Sequence, residues 1–285
     1  MSAATSSSTP RGGSSTRRRA SVSGDGSSIV RGRALVTGGT SGIGLAFAHA
    51  LAARGCGLVL VARDGARLVL TADQLRWRYG VEIETIQADL AQRDQVAAVA
   101  DRLTDDDAPV DILVNNAGKG VHSKLVTDDT SEHEQAIDLM VTAVLVLGAA
   151  AARTMKARGH GVIVNVSSIA GLVTMGGYSA IKSFVRTYSE SLALELSGSG
   201  VQVTALLPGW VRTEFHERAG IRASSIPSSL WLEADDVVAE CLADVEKGRI
   251  RSVPSKRYKV LAALAGHAPR PAVRRVTAKL VKGRG

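Results

Sequence analysis

From residue 33 onward, short apolar runs alternate with longer mixed stretches of helical character. The runs are RALVTG (33–38), GLVLVA (57–62), VEIETIQADL (81–90), VDILVNNAG (110–118), GVIVNVSS (161–168) and VQVTALLPG (201–209). Between them the pattern predicts helices over about 42–54, 64–79, 91–104, 131–157 and 177–197, and RIRSVPS (249–255) offers a seventh strand. Leu58, Val59, Leu60 and Val61 are apolar at consecutive positions, as are Val162, Ile163 and Val164, so both faces of those strands are buried, as in a parallel sheet. Strands alternating with helices through right-handed crossovers predict an α/β fold, a doubly wound parallel sheet of six to seven strands in one domain. Such a sheet takes ligands at the carboxyl ends of its strands, where the strand order reverses.

Composition fits that layering. Apolar residues make up 45% of the 285 and aromatics only 4%, so Ala, Val, Leu and Gly do the packing. The net charge of +8 is unevenly spread: residues 1–33 carry +5, residues 248–285 carry +11 without one acid, and the body between them carries −8. An acidic body with basic ends is not the footprint of a nucleic-acid-binding domain, whose basic face belongs to the fold itself. Residues 1–30, rich in Ser and Gly, read as a disordered basic tail, 31–255 as the folded domain, and 256–285 as a basic C-terminal extension. Within that extension Val273, Val276, Leu280 and Val281 share one helical face, opposite Arg275, Lys279 and Lys282. This predicts a basic amphipathic helix over 271–283, suited to an anionic membrane surface or to docking on the acidic body.

The longest apolar run, LMVTAVLVLGAAAA (139–152), is too short to span a membrane and reads as a buried helix. The Arg run 17–19 is followed by Ser, Gly and Asp where an export signal needs apolar residues, so the expectation is a cytoplasmic protein without a cleavable signal. Cys56 and Cys241 are isolated, which suits a reducing compartment, and the six scattered histidines show no ligand-like spacing, which argues against a metal site.

Two stretches carry chemistry. TGGTSGIG (37–44) runs from the first strand into the first helix. Gly38, Gly42 and Gly44 allow a tight turn and a close approach to a pyrophosphate, and the helix start adds unpaired N–H groups for it, a Rossmann-like nucleotide site. Near the start of another helix, Tyr178 and Lys182 lie four residues apart and share a face. The pair can be a surface contact, or an ammonium placed to lower a phenol's pKa toward working pH.

Other positions decide between these. The glycine turn, Asp89 ending the third strand, NNAG (115–118) ending the fourth, Ser168 ending the fifth and Tyr178-x-x-x-Lys182 stand in the order and places of the short-chain dehydrogenase/reductase family, which this sequence resembles over about 33–255. The resemblance implies that Tyr178 exchanges a proton with the substrate oxygen, and that Ser168, with Ser167 as the fallback, hydrogen-bonds that oxygen. Lys182 would lower the phenol's pKa and bind the nicotinamide ribose. It implies a cofactor site formed by Gly38, Thr40, Ser41, Gly42, Ile43, Gly44, Arg63, Asp89, Leu90, Asn115, Asn116, Ala117, Gly118, Tyr178, Lys182, Pro208, Gly209, Val211 and Thr213. Asp89 would meet the adenine edge, Asn115 to Gly118 would pack under the adenosine ribose, Val211 would meet the carboxamide and Thr213 a phosphate. The segment between Ser168 and Tyr178 is shorter than the family usually has.

An acid at the end of the second strand would pair with the ribose 2′-hydroxyl, whereas Arg invites a 2′-phosphate. Ala62 stands in the acid's place, with Arg63 next; Asp64 either turns inward as a hydroxyl acceptor or caps the following helix. The capping role is favoured, and with it NADP(H). Met140 stands where the family usually carries an Asn that opens the helix locally and holds a water linking the Lys to solvent; Asp138, two positions away, should point off that relay. The expectation is therefore a reductase or dehydrogenase interconverting a carbonyl and a secondary alcohol. Its substrate would be a lipophilic small molecule, covered by about 212–232 with Phe215, Ile221, Ile226, Leu230 and Trp231. The resemblance also implies a homodimer or homotetramer through the long helices after the fourth and fifth strands. The rival expectations are a dinucleotide-binding regulatory protein with little turnover, and a peripheral membrane protein presenting its basic tail.

Overall fold

The computed structural model describes Met1 and residues 28–215 and 227–267. The strands β1 (Arg33–Thr37), β2 (Gly57–Ala62), β3 (Ile83–Gln87), β4 (Ile112–Asn115), β5 (Gly161–Val166), β6 (Val201–Leu206) and, later in the chain, β9 (Arg251–Ser252) form one sheet. Its order is β3-β2-β1-β4-β5-β6-β9 and every pairing is parallel. The order reverses between β1 and β4, so the crevice at their carboxyl ends is the expected ligand position.

Helices cover both faces. On one side α1 (Gly42–Ala52), α2 (Gly65–Tyr79) and α7 (Ala234–Glu246) bury Phe47, Leu51, Leu75, Val237 and Leu242 against Ala34, Val36, Leu58 and Leu60. On the other, α3 (Arg93–Leu103), α5 (Ala143–Arg158) and α6 (Gly176–Glu195) bury Val99, Leu147, Met155 and Leu192 against Leu35, Val59, Val61 and Ile163. Alternate strand residues thus enter opposite cores, which is why apolar residues stand at consecutive positions in these strands. Ser131–Arg158 is helical throughout, and by length and composition alone could cross a membrane. Here Leu139, Met140, Leu147, Ala151 and Met155 place it in the core.

Within that stretch, α4 (Ser131–Ile137) and α5 are joined by a π-turn, Asp138–Thr142, closed by the Ala143 amide on the Asp138 carbonyl. After β6 come β7 (Trp210–Val211) and β8 (Trp231–Leu232), which pair in a two-stranded parallel ribbon. The last described element is α8 (Lys256–His267).

Two domain limits need correction. Val30 is buried in the first core and the Ile29 amide donates to Glu246 at 3.2 Å, so packing begins inside the stretch expected to be tail. Tyr258 is only 2% exposed, so the packed body continues past 255, where the extension was expected to start. The amphipathic stretch 271–283, and Ile221 and Ile226 of the expected cover, lie outside the described residues.

Candidate active site

β5 delivers Ser167 and Ser168 to the crevice, and their hydroxyls do different work. Ser167 is buried and donates to the Lys182 carbonyl at 2.6 Å, so it fastens α6 to β5 and is no alternative to Ser168. Ser168 caps the 3₁₀ turn Ile169–Leu172, accepting from the Ala170 amide at 3.1 Å, and its hydroxyl stands beside the Tyr178 phenol. Only residues 173–175 separate this short turn from α6, which accounts for the reduced spacing between Ser168 and Tyr178.

Tyr178 and Lys182 then lie on successive turns of α6. Lys182 is buried, its Nζ donating to the Val166 carbonyl at 2.8 Å and lying 5.7 Å from the centre of the Tyr178 ring. Burial pushes the ammonium down to about 8. Burial also pushes the phenol up to about 12, against a smaller opposite pull from the neighbouring Ser168 hydroxyl. Burial is the first cause of both shifts, favouring the protonated phenol and the neutral amine. Phe215 tilts against Tyr178 with ring centres 6.1 Å apart, giving the site an apolar wall.

At the other end of the crevice, the glycine turn is laced to β4. Asn116 donates from Nδ2 to the Thr37 and Gly38 carbonyls at 2.9 and 3.3 Å, and the Thr37 hydroxyl accepts from the Asn116 and Ala117 amides. A Cβ on Gly44 would stand 2.2 Å from the Gly38 carbonyl oxygen, so only glycine permits this closure. The Ser41 side chain makes no capping bond to α1, which leaves the helix start available to an anion. Thr213, two residues beyond β7, rests against Gly42, with its Cβ 3.1 Å from where a Gly42 Cβ would be. Val211 is buried.

Arg63 and Asp89 come together in a cleft of about 210 Å³ with Ala91, Gln92, Lys119, Gln135 and Leu139. Asp89 accepts from the Ala91 amide at 3.1 Å, while Leu90 is a core residue whose side chain faces away from the cleft's polar groups. Asp64 caps α2, accepting from the Arg67 amide at 3.0 Å, as its position beside Arg63 suggested. Among the described residues the Arg63 side chain has no ion pair. Lys119, which donates to Gln135 at 3.1 Å, was not foreseen at this cleft. It follows NNAG directly, so the fold carries it there with Gly118. A wider groove of about 360 Å³ between α3 and α5 contains none of these residues.

Asn115 needs a correction. Its side chain donates to Asn165 at 2.9 Å, and Asn165 donates to Ser189 at 3.0 Å, a buried polar chain from β4 through β5 to α6. The Asn115 side chain therefore braces the sheet from within. Met140 is buried at the centre of the π-turn, its Sδ directed at Gly118. The helix thus opens at this place without an Asn. Asp138 points away, toward Arg93 and Thr142, as expected.

An uncapped helix start, a glycine turn with no room for side chains and a cation beside an acid fit a dinucleotide phosphate. Beyond them lies a donor pair, Ser168 and Tyr178. The sequence matches the short chain dehydrogenase family over residues 33–222. Galactitol 2-dehydrogenase from Cereibacter sphaeroides is 38% identical over 187 residues, 64% of this chain and 72% of that protein. Among solved structures, a short-chain dehydrogenase from Sphingobium yanoikuyae in complex with NADPH is 39% identical with a TM-score of 0.75, covering 81% of this chain and 92% of that one. A bulky-bulky ketone specific alcohol dehydrogenase from Comamonas testosteroni is 34% identical with a TM-score of 0.71, covering 81% and 90%.

Proposed function

This chain belongs to the short chain dehydrogenase family, oxidoreductases acting on hydroxyl and carbonyl groups with a nicotinamide dinucleotide, and on that premise we propose that it is an NADP(H)-dependent reductase of bulky, lipophilic ketones. The observation that carries this is the placement of Ser168 beside Tyr178, with Lys182 under the phenol ring and Phe215 as a wall. Bound in this crevice, the cofactor would supply a hydride from its nicotinamide C4. Ser168 holds the substrate oxygen, and Tyr178 gives it the phenolic proton as charge develops there. Lys182, an ammonium below about pH 8, holds the nicotinamide ribose and keeps a positive charge under the phenol ring. Gly38, Ser41, Gly42 and Thr213 seat the phosphates, and Asp89 meets the adenine. The buried free thiols of Cys56 and Cys241 suit the cytoplasm. Exposed Leu145, Phe184 and Leu194 on α5 and α6 support a homodimer or homotetramer through those helices.

The NADP(H) preference rests on Arg63, since Asp64 is occupied at the start of α2. Reduction of a ketone panel should run on NADPH, faster with bulky aryl ketones than with ketoses. Arg63→Ala should weaken NADPH binding by about 1.5–3 kcal/mol and leave NADH binding nearly unchanged. Equal losses for the two cofactors would remove the 2′-phosphate contact, and a preference for ketoses would remove the lipophilic substrate.

Met140 bears on the proton path. A thioether is a weak acceptor with no donor, so it cannot hold a relay water as an amide does. Because the π-turn is already open, an amide can be accommodated there without remaking the helix. Met140→Asn is expected to raise turnover, or to change its solvent isotope effect, with NADPH affinity unaltered. No change in either quantity in a fully active enzyme would make Met140 ordinary core packing.

A further inference from the structure

The loop after β6 connects the two ends of the crevice. The Pro208 carbonyl accepts from the Ile169 amide at 3.1 Å and from the Ser168 hydroxyl at 3.5 Å, and Thr213 rests on Gly42. A molecule lying from the glycine turn to the Ser168–Tyr178 pair runs alongside β7. Yet β7 and β8 are two residues each, too short to hold themselves in place.

Tyr258, from α8, completes them. Its hydroxyl accepts from the Trp210 amide at 3.1 Å and donates to the Leu230 carbonyl at 2.6 Å, adding one rung at the base of the ribbon. Its ring covers Gly209 so closely that a Cβ there would stand 2.0 Å from the ring. α8 also packs on the turn Ile169–Leu172 that Ser168 caps. The helix is itself anchored. Ser255, just before it, has φ +79°, the one positive value outside glycine among the described residues. Glu240 holds that costly conformation by accepting from the Ser255 amide at 2.8 Å, and it also pairs with Lys259.

We propose that Tyr258 is a positioning residue through which the C-terminal helix sets the backbone that receives the nicotinamide half of the cofactor. The proposal rests on the NADP(H) function above. It predicts a loss confined to that half. Tyr258→Phe keeps the ring on Gly209 and removes both hydroxyl bonds, so the Kd for NADPH should rise about three- to tenfold, the worth of about one hydrogen bond. The Kd for adenosine 2′,5′-bisphosphate, which lacks the nicotinamide, should stay at its wild-type value. Glu240→Ala, which loosens the anchor without touching the crevice, should give a smaller loss of the same kind and carries the test if Tyr258→Phe does not fold. The proposal is overturned if the variants bind both probes as wild type does, or lose both equally. Wild-type protein that binds neither probe would overturn the cofactor function, and this proposal with it.

Discussion

Tyr178→Phe is expected to lower carbonyl reduction by about 10²–10⁴-fold and to leave NADPH binding close to wild type. The substitution removes one oxygen from a buried wall and keeps the ring that faces Phe215 and lies beside the Lys182 ammonium. Burial pushes the wild-type phenol up to about 12, which favours the protonated form that can give its proton to a substrate oxygen. Ser168 alone can still polarise that oxygen, which accounts for a residual rate. A variant with near-normal turnover would show that another group carries the proton. One that lost NADPH binding to the same extent would make the phenol a cofactor ligand.

Lys182→Ala should damage binding and turnover together, because under the proposed function one buried ammonium would serve both the ribose and the phenol. Its pH dependence separates it from Tyr178. The ammonium form prevails below about pH 8, so kcat/KM for NADPH should be flat up to that point and fall above it. Lys182→Arg, which keeps its charge far higher, should lose the falling limb. A limb unchanged in Lys182→Arg would assign the titration elsewhere. Stability should run the other way. An ordinary Lys holds its proton up to 10.5, so between about 8 and 10.5 the unfolded chain binds more protons than the folded one, and the penalty of burying this charge is relieved as pH rises. The folded protein therefore accepts a destabilised group where the site needs it.

The parts of this site that could be read in the sequence are those fixed by local spacing. The strand–glycine turn–helix of 33–52 is contiguous, and Tyr178 and Lys182 share a helix face by their spacing alone. The Asp64 cap follows from its place one residue before α2. What was missed depends on partners far along the chain. Asn115 matched a motif by position, but a strand side chain faces whichever layer the register dictates, and β4–β5 pairing puts it opposite Asn165. That second Asn, alone in an apolar run, was the available signal. α7 announced itself through Val237, Val238, Cys241, Leu242 and Val245, an apolar stripe behind Asp235 and Asp236, and was overlooked between the expected cover and the last strand. Tyr258 had no such signal, since its partners Gly209, Trp210 and Leu230 meet it only in the fold. The π-turn shows a different limit. Its opening had been ascribed to one side chain, yet it forms around Met140.

Under the proposed function, hydride and proton meet a carbonyl at Ser168 and Tyr178. The most direct measurement supplies NADPH deuterated at the nicotinamide C4 together with bulky ketones, and follows the label by mass spectrometry. Wild-type protein should yield secondary alcohols with deuterium on the carbinol carbon, and Tyr178→Phe, still binding NADPH, should yield almost none. Wild-type protein that binds NADPH and transfers no deuterium to any ketone would contradict the account and leave a dinucleotide-binding protein in its place.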